Sequence, residues 1–122
     1  MKLEEIERKN ERFRLAASRI HDLLPSTNLV SLSSLMIRSS KKVDQLLPAV
    51  LKAKSKLEFY KTMDRMEEEL DDIVFALDQL AIINTQQKIP QLDEFVKYGY
   101  DLLQIYSLAC DSIIEKKTRQ EV

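Results

Sequence analysis

Gly99 is the single glycine in a chain of 122 residues. Hairpin turns and β-bulges draw on glycine for backbone conformations that other residues resist. A chain that has almost given up this residue cannot make many tight turns, so it has to be built from long helices. The sequence therefore predicts an all-α protein. Hydrophobic residues make up 44% and charged residues 32%, too apolar a mixture for a disordered chain. The length is that of one domain, residues 1–122, able to bury a core without disulfides or metals.

The apolar spacing divides the chain at its prolines and polar clusters. Helices are expected over about 2–24, 28–53, 56–84 and 91–117. In the first, Leu3, Ile6, Phe13, Ala17, Ile20 and Leu24 are the inward candidates, and Pro25 breaks it. Ser26, Thr27 and Asn28 are suitable caps for the second. There Leu29, Leu32, Met36, Ser39, Val43, Leu46, Val50, Ala53 and Leu57 alternate in steps of three and four, a heptad stripe. Pro48 removes a backbone donor inside it and predicts a kink near Asp44. The third stripe runs through Met63, Met66, Leu70, Ile73, Leu77 and Leu80. The fourth opens at Pro90 and continues through Leu92, Phe95, Val96, Gly99, Leu102, Leu103, Tyr106, Ala109, Cys110 and Ile113, with a charged tail from Glu115 expected to fray. Short connections between four amphipathic helices predict an antiparallel, up-down-up-down four-helix bundle.

Further apolar residues lie off these stripes: Leu35, Ile37, Leu47 and Leu51, then Phe59, Phe75 and Ile82, then Tyr98, Tyr100, Ile105 and Leu108. They either widen the core or form a second face for self-association, and bundle helices need only about three apolar positions in seven. Self-association is the expectation.

Chemistry has little to work with. Phosphate-cradling loops need several glycines, and Gly99 falls inside a helix, where it lets a neighbouring side chain come close. His21 and Cys110 are the only imidazole and thiol, too few for a zinc site, and no Glu-x-x-His pair for a di-iron centre occurs. The acidic run Glu67, Glu68, Glu69, Asp71 and Asp72 places Glu68 and Asp72 on one helix face, a spacing magnesium-dependent hydrolases use, but Met66, Leu70 and Ile73 turn these acids outward. Arg14 and His21 have the spacing of a metal-independent ribonuclease pair, or flank Phe13 and Ile20 as rim residues. Ser39 and Ser40 lack a partnered base; Ser39 reads as a small packing residue and Cys110 as core. No catalytic residue, metal, cofactor or small-molecule substrate is expected.

One cysteine, a charged start from Met1 to Lys9 and no long apolar run predict a soluble cytoplasmic protein without a leader or membrane contact. The net charge is −1, yet charge is segregated. Arg38, Lys41, Lys42, Lys52, Lys54, Lys56 and Lys61 face only Asp44 and Glu58 as nearby acids, and an acidic stretch follows from Asp64 to Asp72. The basic strip either contacts phosphates or pairs with the acidic one.

Several stretches together carry a resemblance. They are Leu24-Pro25, then Leu32-x-x-x-Met36-x-Arg38-Ser39-Ser40, then Lys52-Ala53-Lys54-Ser55-Lys56-Leu57-Glu58-Phe59, and a long third helix ending at a polar turn. In this order they resemble the bacterial four-helix-bundle proteins that include the 23S rRNA intervening-sequence proteins and their relatives, the accessory variability determinant (Avd) proteins of diversity-generating retroelements. The likeness spans about residues 13–114. Where the intervening-sequence group carries an Asn-Ile-Ala-Glu-Gly-like stretch, this chain has Leu46-Leu47-Pro48-Ala49-Val50, closer to the accessory branch, although that branch is strongly basic. The resemblance implies a ring-shaped homo-oligomer, typically a pentamer. It also implies a non-catalytic accessory role with a reverse transcriptase and its template RNA, through Arg38, Lys41, Lys42, Lys52, Lys54 and Lys56. The alternative expectation is a protein–protein interaction module without nucleic-acid binding, using the acidic strip.

Overall fold

The computed structural model describes residues 2–89 and 91–120. Among them it contains four α-helices and no strand: α1 (Leu3–His21), α2 (Thr27–Lys52), α3 (Lys56–Gln86) and α4 (Leu92–Gln120). Each helix packs on its neighbours in sequence and α4 packs on α1, with α2 and α3 in the most extensive contact.

The ends of the helices follow from local chemistry. At α2 the Ser26 hydroxyl accepts from the Leu29 N–H, and at α3 Ser55 accepts from the Glu58 N–H. Glu58 in turn reaches back to accept from the Lys54 N–H, so two helix-end donors are satisfied by one serine and one glutamate. Between α3 and α4, Asn84 ties the turn: its carbonyl oxygen accepts from the Ile89 N–H and its amide donates to Asp93. Gln91, in this turn, has a left-handed φ of 67°. A glycine would hold that conformation without the cost of roughly 1 kcal/mol that a Cβ imposes. Pro90, the expected entry to the last helix, lies outside the described residues.

The core stripes predicted from spacing are largely buried, and Phe13 stacks on Phe95 with ring centroids 5.2 Å apart. Gly99 is buried within α4, with side-chain atoms of Leu77 and Phe13 directly over its Cα, as expected of a residue that allows close approach.

Four expectations need correction. Leu57 does not continue the α2 stripe; it is 65% exposed, and Phe59 is buried instead. The turn at Ala53–Ser55 interrupts the helix, and helical phase does not carry across a turn. Leu47, placed off the stripe, is core at 2% exposure. The first helix ends at His21 rather than near residue 24, its carbonyls closing in short turns onto Leu23 and Leu24. The tail from Glu115 stays helical to Gln120. Lys117 helps hold it: its ammonium donates to the Ala53 carbonyl and lies 5.8 Å from the centroid of the Phe59 ring. α2 runs unbroken through Pro48.

Candidate functional site

The outer face of α2 is the basic one. Arg38, Lys41, Gln45, Ala49 and Lys52 follow one another at helical spacing, and all five are exposed. From Arg38 to Lys52 this face extends about 21 Å at the helical rise. Lys42 sits toward α3, where its ammonium lies 3.3 Å from the Glu69 carboxylate. Lys54 is exposed in the connection and Lys56 opens α3. The six predicted residues thus divide into an open helix face, one residue paired to an acid, and two at the adjoining turn.

The only acid on α2, Asp44, points away from that face. Its carboxylate belongs to a polar network between α1 and α2 that spacing along the chain does not reveal. The Asn10 amide donates to Asp44 Oδ1 at 2.7 Å and to the Ser40 carbonyl at 2.8 Å. The Ser40 hydroxyl donates to Asn10 Oδ1 at 2.6 Å. Arg14 Nη1 donates to Asp44 Oδ2 at 2.5 Å and to Ser40 Oγ at 3.2 Å. Asn10 and Ser40 are wholly buried, and the amide has both donors and its oxygen engaged. One arginine and one aspartate cancel, so the network is electrically neutral. It removes the one negative charge of α2 from competition with Arg38, Lys41 and Lys52. Asn10 stands in step with Ile6, Phe13 and Ala17, so a polar residue on an apolar stripe was the signal that could have exposed it.

Two turns further along α1, His21 Nδ1 lies 2.6 Å from Ser33 Oγ, which donates to the Val30 carbonyl. A ring N–H donating to the serine satisfies both groups. Arg14 and His21, the spaced pair of the ribonuclease-like reading, are therefore each held by a different partner on α2.

On α3, Glu67, Glu68, Asp71 and Asp72 are exposed and Glu69 half-buried, facing α2. No group of three or more His, Cys, Asp or Glu among the described residues is arranged to hold a metal ion. Cys110 is buried, and burial, followed by Glu67 and Asp111, pushes its thiol up to about 11. The Tyr106 hydroxyl is buried with no hydrogen-bond partner, and burial followed by Asp44 raises its pKa.

Two apolar grooves open on the surface. One, about 310 Å³, lies between α1, α2 and α4 and is lined by Leu3, Leu47, Leu51, Ile105, Leu108 and Ile113. The other, about 360 Å³, follows the seam of α3 and α4 over Leu70, Val74 and Leu103, with Glu67, Asp71 and Asp111 on its rim. Of the residues read as a second apolar face, Leu51, Phe75, Ile82, Tyr100 and Leu108 are exposed, while Phe59 is core. No helix among the described residues is long and apolar enough to cross a membrane.

No protein-family model, curated protein or solved structure matches this chain.

Proposed function

We propose that this chain is a non-catalytic accessory protein. In this reading it is an up-down-up-down bundle that self-associates into a ring and binds a reverse transcriptase and its template RNA, as the resemblance to the accessory branch implies. The observation that carries the reading is the outer face of α2. Arg38, Lys41 and Lys52 line it, and the helix's one acid is engaged elsewhere with Arg14 and Asn10. Phosphate groups need only such a row of cations with no opposing carboxylate. The exposed Leu51, Phe75, Ile82 and Leu108 support self-association.

Charge reversal of Lys52, Lys54 and Lys56 to glutamate tests the RNA contact in a fluorescence titration with structured RNA at low salt. Binding is expected to weaken, and the slope of log affinity against log salt to fall by about one for each phosphate no longer neutralised. Circular dichroism is expected to stay unchanged. Unaltered binding and slope would remove these residues from the interface, and no binding by the parent protein at low salt would remove RNA altogether.

A second reading rests on the Lys42–Glu69 pair, in which the basic and acidic strips meet within one chain. There the chain is a protein–protein interaction module without nucleic-acid binding, and the acidic surface of α3 receives the partner.

A further inference from the structure

Two surface stripes share one spacing. On the outer face of α1, Arg8, Arg12, Leu15 and Arg19 follow in steps of four, three and four, all exposed, with Leu15 53% open. On α3, Glu67, Asp71 and Val74 line the groove it forms with α4, and Asp78 continues the stripe in the same steps of four, three and four. Each arginine position on the first corresponds to a carboxylate on the second, and the leucine corresponds to the valine. Among the described residues no ion pair engages Arg8, Arg12 or Arg19, nor Glu67, Asp71 or Asp78. The Asp78 carboxylate accepts a hydrogen bond from the exposed Tyr100 hydroxyl, which holds it at the rim.

The geometry points to a second copy of this chain as the occupant of the α3–α4 groove, docked through α1. Helices aligned in parallel at that spacing bring Arg8 to Glu67, Arg12 to Asp71, Leu15 to Val74 and Arg19 to Asp78. The other exposed faces of the chain match the groove less well. The outer face of α2 has cations but only Ala49 between them, and the exposed Phe75 and Ile82 share their helix with acids.

Because the face on α1 differs from the face on α3, each docked copy leaves one of each face open. Such a heterologous contact builds a ring where the rotation from copy to copy closes and an open filament where it does not. The inference rests on the self-association proposed above and assigns its interface.

The test is the mass in solution by light scattering coupled to size exclusion, at moderate ionic strength. Parent protein is expected at a multiple of the chain mass. Arg8→Glu with Arg12→Glu, and separately Glu67→Lys with Asp71→Lys, are each expected to give monomer. All four substitutions in one chain re-create opposite charges across the contact and are expected to restore the oligomer. Glu68→Lys with Asp72→Lys, on another face of α3, should leave it intact. A monomeric parent would overturn both this inference and self-association. An oligomer indifferent to either reversal, or not restored by the fourfold swap, would overturn this interface and leave self-association standing through another face.

Discussion

Gly99→Ala sets two well-measured effects against each other. In an exposed helix interior, replacing glycine by alanine stabilises by about 1 kcal/mol, because the backbone has less freedom to lose. Here the added Cβ would lie 2.7 Å from Leu77 Cδ1, 2.8 Å from Leu77 Cδ2 and 3.1 Å from Phe13 Cε1. Both methyls of Leu77 are struck, so rotating that side chain exchanges one clash for the other. Leu77 and Phe13 are fully buried, and Phe13 is stacked on Phe95, so neither has open space behind it. Overpacking of this kind costs about 1–3 kcal/mol, and the double contact places the cost at the upper end. The expected net loss is about 1–2 kcal/mol, read by urea denaturation as a midpoint lower by roughly 0.5–1 M. Leu77→Ala supplies a second arm. Alone it costs about 2–5 kcal/mol through the cavity it leaves. In that background the Gly99 methyl has room, and the substitution should turn stabilising by about 1 kcal/mol. A raised midpoint for Gly99→Ala in the parent protein would refute the reasoning, since it would mean that the α3–α4 contact yields freely.

Asp44→Ala is expected to cost about 2–3 kcal/mol in the same assay. It strips acceptors from the wholly buried Asn10 and from Arg14, while the partial exposure of the ion pair trims the figure. Lys42→Ala, which removes an ion pair whose lysine is half in water, should cost less than about 0.5 kcal/mol, and comparable losses for the two would refute the distinction. At high pH the fold should weaken. Burial, the hydrogen bond to Asp78 and that carboxylate's charge push Tyr100 up to about 12, and Tyr106 is raised too. The folded chain keeps protons that the unfolded chain releases near pH 10, so stability is fully present below that value and falls as pH rises toward 12. Denaturation midpoints across that range should decline less steeply in Tyr100→Phe; an unchanged slope would sink the assignment.

The helices and most of the core were legible because they depend on spacing within one segment. Met36, Val43 and Val50 on α2, or Met66, Ile73 and Leu80 on α3, follow from the helical period alone. The failures begin where a relation between segments is needed. Leu57 and Phe59 exchanged places because the turn before α3 resets which direction faces inward. Asn10, Ser33 and Ser40 lay in plain view as polar residues on apolar stripes, but their partners sit on the neighbouring helix, and the pairing depends on how α1 and α2 are set against each other. For the candidate surface, the outward direction of Arg38, Lys41 and Lys52 was readable from phase. The engagement of Lys42 with Glu69 was not, because it depends on the angular setting of α2 against α3.

The bonds between α1 and α2 also act as a gauge of alignment. Apolar stripes of regular period fit one another almost equally well after a slide of one heptad, so a core of leucines and valines alone would leave several settings close in energy. Slide α1 by a heptad in one direction and Asn10 and Arg14 come to rest against Leu47 and Leu51; slide it in the other and they meet Ser33 and Ile37, while Asp44 faces Leu3. Either displacement strands an amide or a charge that the observed setting satisfies, at a cost of several kcal/mol, about the margin by which a small domain is stable at all. The polar bonds thereby select one alignment out of a repetitive apolar pattern.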